Sequence, residues 1–379
     1  MKRRVVFAWL VVSALAVVVP GVWAQQPPQT DPPRGMFTQD VVMSWDRSSV
    51  PADIELWAPR TLLAYDTDLS KRYGGLYMVC ASATDTSTGR CPVEDMLVEL
   101  NTESQVTVAL VESRTGLVGN IDATAWLQRI DSVQNCSMDY WRSQRYGISS
   151  SVSRACAIRF PAAGTGKGLS LKAEDLMQLT AGHWKGTLEL RLRRPPAEHL
   201  ATYVFNFDFT VTDHDAVSIY LPAFEYGNAH VNLDLRYDPI AKMIGGRKDV
   251  DMCLYDGVGS SSEYLGVTVR DAGPHPSGGD GFSVWHPDTT GDESERVDFD
   301  VLLDYAGNRR RMRNGVEEQL HGVDSTALRL VKLPKLDQPV YCVPTPLTLL
   351  TPQFPSSSKR QGVYSGELKV ELRVPAVRP

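Results

Sequence analysis

Three arginines crowd one short segment, Leu188-Glu189-Leu190-Arg191-Leu192-Arg193-Arg194. A guanidinium is a planar fork of N–H donors that keeps its charge at any physiological pH, so convergent forks suit a carboxylate-bearing ligand. The leucines alternate with charged residues at a period of two. That places Arg191 and Arg193 on one wet strand face, with Arg194 at the strand end, where Arg194-Pro195-Pro196 interrupts the ladder. The competing reading is that Glu189 and neighbouring acids simply solvate the face with them. Trp184, just upstream, reads as core packing rather than as a stacking platform for sugar.

Other reactive residue types do not assemble into a motif. The histidines at 183, 199, 214, 230, 275, 286 and 321 lack an HExxH or any close ligand spacing, so no metal site is expected. No GxSxG nucleophile elbow occurs, and Ser260-Ser261-Ser262 after Gly259 reads as a loop. The 45 acidic residues include nothing that selects the carboxylate pair of a glycosidase, the reading that would make this a secreted carbohydrate-active enzyme. Ser277-Gly278-Gly279-Asp280-Gly281 lacks the lysine of a phosphate loop and the spacing of a calcium loop, and reads as a surface turn. Arg309, Arg310, Arg311 and Arg313, between Gly307 and Gly315, read as a solvated charge run. No enzyme and no cofactor is expected, and a net charge of −6 argues against wrapping nucleic acid.

The chain of 379 residues is long enough for about two domains. Lys2, Arg3 and Arg4 precede an apolar run from Val5 to Val19, and Val22-Trp23-Ala24 supplies a small-residue cleavage site, so residues 1–24 read as a secretory signal peptide. Export makes the six cysteines a disulfide question. Six allow 15 complete pairings. Closure between nearest neighbours is the simplest: Cys80 with Cys91, Cys136 with Cys156, and Cys253 with Cys342.

The elements that would carry these residues are mostly strands. After residue 24 comes QQPPQTDPPRG, whose prolines withhold donors and predict a mobile leader. Alternation then marks strands at Phe37–Trp45, Leu188–Leu192, Tyr203–Val211, Val217–Leu221, Val231–Leu235, Leu265–Val269, Val297–Tyr305 and Tyr364–Leu372. A short helix is expected over Lys172–Leu179 with Ser170 as its cap. Short strands divided by Gly, Pro and Asp turns favour antiparallel sandwiches over βαβ units. The polar break Thr212-Asp213-His214-Asp215 predicts domains at 25–212 and 213–379.

Ordered along the chain, several features carry a family resemblance. They are Cys80 and Cys91 with Cys-Pro at the second; Ala181-Gly182-His183-Trp184 leading into Leu192-Arg193-Arg194; Thr212-Asp213 followed by Ile219-Tyr220-Leu221-Pro222-Ala223-Phe224; and Val250-Asp251-Met252-Cys253-Leu254-Tyr255-Asp256-Gly257. Together they resemble the CblD-like initiators and tip adhesins of class 5, or alternate-chaperone, fimbriae, over nearly the whole mature chain.

The resemblance implies an all-β protein of two immunoglobulin-like sandwiches, an N-terminal adhesin domain and a C-terminal pilin domain that lacks its final strand. The missing strand implies partners: a periplasmic chaperone that first fills the groove, an outer-membrane usher, and the donor strand of the major pilin that replaces the chaperone. Such donor-strand complementation is β-strand addition, with Tyr364, Leu368, Val370 and Leu372 at the groove edge. It further implies a host glycan or glycoprotein receptor, with Arg193 and Arg194 matching the family's adjacent arginines. Where the family pattern has another arginine, five residues before the first disulfide cysteine, this chain has Gly75, and Arg72 is the nearby substitute. A leader rich in proline that cannot donate a regular strand suits the fibre tip on the outside of a Gram-negative cell. A tip initiator without glycan specificity is the alternative.

Overall fold

The two strongest alternations fold as neighbouring antiparallel strands, Gly182–Arg194 and Glu198–Thr212, in the computed structural model. The structure describes residues 25–375 apart from 98–101, 135–138, 155–160, 225–228, 274, 276–280, 335 and 337–338. Cys136, Cys156, the signal segment and most of Ser277–Gly281 therefore lie outside the described residues. Period-two burial holds along both strands: Trp184, Leu188, Leu190 and Leu192 face inward, as do Phe205, Phe207, Phe209 and Val211. Pro195-Pro196-Ala197 forms the turn between them, where the missing donors of the prolines do no harm.

Around this hairpin the first core gathers residues from Val41 to Val211. The strand Gly35–Asp46 joins it in parallel, with Gly35 beside Ala201 and Asp46 beside Thr212. On the other side come Ser104–Glu112, Val118–Ile130, Gly164–Leu171 and Ile54–Tyr65 in spatial order. The Gly164–Leu171 strand owes its glycines to close neighbours: a Cβ on Gly166 would lie 2.2 Å from the Trp141 ring, and one on Gly168 would lie 2.3 Å from the Trp126 ring.

Between those glycines Lys167 points inward, 3.7 Å from the Trp57 ring centre and 3.8 Å from that of Tyr203. Burial pushes its ammonium down to about 7 from an ordinary 10.5. From about pH 7 to 10.5 the unfolded chain then binds more protons at this site than the folded one, so folding stability rises with pH across that window. Denaturant titrations at pH 7 and pH 9 are expected to show a gain of about 2 kcal/mol that Lys167→Met lacks. Equal pH slopes for the two proteins would refute this.

Two expectations need correction. The proline-rich leader is docked rather than mobile: Thr30 exchanges both backbone hydrogen bonds with Tyr65 (2.8 and 2.9 Å), Pro27 and Pro32 are buried, and Asp31 accepts from the Tyr73 hydroxyl at 2.6 Å. Prolines exclude a ladder, not single bridges and apolar packing. The expected helix is a single turn, Ala173–Leu176, because Ser170 stays in the preceding strand and Lys172 takes the cap position. Asp53 supplies the cap instead, accepting from Ala173 N at 3.1 Å.

The second core draws on Met252, Leu265, Val267, Val269, Val301, Leu303 and Leu347. It lies among a six-stranded sheet centred on Met243–Val250, Leu347–Pro355 and Arg296–Tyr305, a three-stranded sheet of Glu317–His321, Tyr264–Asp271 and Leu368–Arg373, and a small sheet holding Cys253–Tyr255 and Val340–Pro344. Cys80–Cys91 and Cys253–Cys342 are disulfides, with Cα separations of 5.2 and 5.7 Å. The Arg309–Arg311 run lies on the strand Asn308–Arg311. Its arginines pair with Asp304, Glu318 and Asp300, so its charge is compensated locally.

Between the two cores the buried Asp256 gathers the loop that follows it by accepting from the N–H groups of Val258, Ser260 and Ser262. Gly257 and Gly259, both at positive φ, press this loop on the first domain; a Cβ on Gly259 would lie 2.8 Å from Ala181 O. Asp213 N donates to Gly257 O at 2.6 Å, and Arg114 Nη2 donates to Val323 O and Thr326 O.

Candidate functional site

The arginine hairpin ends at the pole of the first domain away from this junction, because the Gly182–Arg194 strand starts beside Gly259 and runs outward. Its last residues pair with the short strand Tyr77–Val79, with Tyr77 opposite Arg193 and Val79 opposite Arg191. Cys80 follows directly. Its N–H donates to Pro92 O at 3.1 Å, and with the Cys80–Cys91 bridge this pins the Pro92-Val93 backbone, so that Val93 O meets Arg193 Nη1 at 3.4 Å.

The four predicted arginines divide by their partners. Arg191 Nε donates to Glu189 Oε1 at 2.7 Å, as the solvated-face reading expects. Arg194 Nε donates to Glu198 Oε2 at 2.7 Å. Arg193 is half-buried and ion-paired to no carboxylate among the described residues; its hydrogen bond goes to a neutral carbonyl. Arg72 is exposed at a left-handed position (φ 57°) that ends one 3-10 turn and starts the next. No hydrogen bond or ion pair between described residues joins it to Arg193 or Arg194. Tyr73 beside it links the segments: burial raises the phenol above its ordinary value, as do the Asp31 hydrogen bond and charge, while Lys71 and Arg194 oppose them.

Gly75 lies directly under the arginine turn. A Cβ there would sit 3.2 Å from Pro195 Cγ and 3.3 Å from Ser151 O, so any side chain at this position would require the turn to yield. The position where the resemblance implies another arginine is thus buried beneath the arginine turn, and in this chain it contributes packing instead of charge.

Sequence reasoning missed the buried cation that builds this pole. Arg129 is fully buried; it donates from Nε to Val152 O at 2.8 Å, from Nη1 to Leu76 O and Thr165 Oγ1, and from Nη2 to Ser150 O at 2.6 Å. Loss of solvent lowers its pKa to about 10, which leaves it charged at neutral pH. The fork ties the Ser150–Val152 loop to Leu76, and Ser151 N in turn donates to Asp95 Oδ1 at 3.0 Å. Nothing in the sequence singles out Arg129, because the strand Val118–Ile130 that carries it also holds Asn120, Asp122, Thr124 and Gln128.

At the other end of the molecule, Leu368, Val370 and Leu372 lie on the strand Leu368–Arg373, which pairs with Tyr264–Asp271. Among the described residues its other edge is unpaired. Val267 and Val269, opposite Leu372 and Val370, are fully buried, yet Leu368, Val370, Leu372 and Val374 remain half-exposed, as do Val231 and Leu233 against the same core. Val231 and Leu233 belong to an extended segment outside any strand; pairing begins at Leu235–Asp238. Tyr364 does not share this edge. The strand starts four residues later than its alternation predicts, because the Tyr364 hydroxyl is held by Arg360 O and Ser294 O and Ser365 bridges Trp285. No helix of the described residues is long and apolar enough to cross a membrane, and no cluster of metal-ligating side chains occurs among them.

Two β-sandwiches of immunoglobulin-like kind, one with a basic pole and one with an open apolar edge, define the class of a two-domain fimbrial protein. Family models for the first and second domains of CfaE, from the CFA/I fimbria, match residues 20–214 and 217–376 respectively, and the chain belongs to that family. CfaE of Escherichia coli CFA/I fimbriae is 26% identical over 308 residues, covering 79% of this chain and 80% of that protein. The crystal structure of CfaE, the adhesive subunit of CFA/I fimbria of enterotoxigenic E. coli, superposes with a TM-score of 0.72 at 23% identity, covering 93% of this chain and 95% of that one. A chaperone–tip adhesin complex of CFA/I fimbriae gives 0.67 at 23% identity, covering 93% and 99%. Membership in a family of fimbrial proteins replaces the carbohydrate-active enzyme reading.

Proposed function

We propose that this chain is a tip adhesin and assembly initiator of a fimbria, with receptor recognition at the arginine pole and assembly at the open edge of the second domain. The observation that carries the reading is the pairing of Arg193 at the outer pole, ion-paired to no carboxylate among the described residues, with a half-covered core along Leu368, Val370 and Leu372 at the other domain. The domains are 25–212 and 213–379, preceded by a signal peptide at 1–24. Export through the periplasm brings a chaperone to the open edge, an outer-membrane usher passes the protein on, and the donor strand of the next pilin completes the sheet.

The receptor is an acidic host glycan or glycoprotein, held by Arg193 and Arg194, with Arg191 and Arg72 at the margin. Arg193→Ala/Arg194→Ala is expected to weaken binding to host cells and to an acidic glycan array at least about tenfold, while the fold and assembly persist, since a charge-assisted hydrogen bond contributes about 1.5–3 kcal/mol. Undiminished binding by the folded double variant would remove the arginine site. A mainly structural tip initiator is the second reading, favoured by Gly75 and by the carboxylates already paired to Arg191 and Arg194. It predicts normal fimbriae and no saturable glycan binding by either protein.

A further inference from the structure

Arg194 and Arg34 share one carboxylate. Glu198 Oε2 accepts from Arg194 Nε at 2.7 Å and is also paired to Arg194 Nη2, while Oε1 faces Arg34 Nη2 at 3.4 Å. The geometry is set by the backbone, because Arg194 and Glu198 lie directly opposite each other across the Pro195-Pro196-Ala197 turn. Arg34 is brought there by the docked leader, which Asp31 fixes to Tyr73 and Thr30 fixes to Tyr65. All three side chains reach solvent, with exposures of 64% for Arg34, 39% for Glu198 and 27% for Arg194.

We propose that Glu198 is an internal competitor for the receptor's carboxylate, occupying Arg194 and Arg34 until an acidic glycan displaces it. The proposal rests on the adhesin reading above and makes Glu198 and Arg34 specificity-determining residues of that site. Charge supports it: two guanidiniums on one carboxylate leave a net positive site, and Arg193, the preceding residue, is ion-paired to no carboxylate among the described residues, so a second carboxylate meets donors rather than repulsion. Chemistry supports it as well, since a ligand carboxylate can accept from the Arg194 fork with one oxygen and from Arg34 with the other, as Glu198 now does. The Arg194 hydrogen bond holds the Glu198 carboxyl below its usual range, so the competitor stays charged at neutral pH. Affinity for an acidic ligand is then the difference between two carboxylates on one fork, and neutral sugars are indifferent to it.

The test compares the full mature chain with Glu198→Gln, using sialyllactose as the acidic probe and lactose as the neutral one. Glu198→Gln is expected to bind sialyllactose about five- to tenfold more tightly with lactose unchanged, and the gain is expected to vanish when Arg194→Ala is added. Glu198→Asp should fall near the wild type. Unchanged or weaker sialyllactose binding by a folded Glu198→Gln, with Arg193→Ala still abolishing wild-type binding, would overturn the competitor and leave the adhesin reading standing. Absence of sialyllactose binding by both proteins also overturns it, and only if host-cell binding is absent too does the adhesin reading fall with it.

Discussion

Replacing Arg129 with alanine is expected to cost about 3–5 kcal/mol of folding stability and, at temperatures where the protein stays folded, to abolish receptor binding as well. The size follows from what the fork leaves behind. Leu76 O, Ser150 O, Val152 O and Thr165 Oγ1 all lose a donor in the interior, and a buried unsatisfied acceptor costs about 1–3 kcal/mol. Water entering the vacated space recovers part of that, which keeps the total below the sum. The binding loss follows from position, because Ser151 and Leu76 flank the Gly75–Pro195 contact beneath Arg194. Arg129→Lys should lie between, since one ammonium cannot reach the carbonyls of Leu76, Ser150 and Val152 and the Thr165 hydroxyl together. Urea titration of the three proteins measures this, and a loss under about 1 kcal/mol for Arg129→Ala would show that the loop holds itself.

The second large effect belongs to the open edge. Fusing a donor strand with alternate apolar residues to the C-terminus is expected to raise the unfolding midpoint of the second domain by about 15 °C or more. Each side chain that completes the core over Val231, Leu233, Val370 and Leu372 contributes about 1.5–3 kcal/mol, and a domain of this size gains about 2–4 °C per kcal/mol. A control strand with aspartates at the inward positions should give no rise. Calorimetry resolves the two domains, and equal midpoints with and without the apolar strand would mean that the edge is already complete.

How much of the structure is legible in the sequence depends on whether a residue's neighbours are near it in the chain. The core of the hairpin at 182–212 is legible, since Leu188–Leu192 and Tyr203–Val211 alternate cleanly and Pro195-Pro196 interrupts the ladder between them, while residues 182–187 at its start show no such alternation. The disulfides Cys80–Cys91 and Cys253–Cys342 follow simple proximity. Arg129 is invisible because its four partners lie 21 to 53 residues away and are mostly backbone carbonyls, which no side-chain pattern announces. The leader misleads for the same reason: its hold on Tyr65 and Tyr73 is tertiary, while its prolines speak only of local geometry. Tyr364 continues the alternation of Leu368–Leu372 in sequence, yet two distant carbonyls hold its hydroxyl off that edge.

The parallel pairing of Gly35–Asp46 with Glu198–Thr212 has a mechanical consequence. On the proposed reading, a ligand at Arg193 and a fibre pulling through Asp213 would act at opposite ends of these strands, which run about 40 Å from pole to junction. Tension would then run lengthwise along the Glu198–Thr212 strand, which joins the two points and is flanked by the Gly35–Asp46 and Gly182–Arg194 strands. The backbone rungs between them are loaded in shear, all sharing the force together, rather than being peeled open one after another from an end. A domain strung in this way resists flow by geometry, before any single contact at its tip is counted.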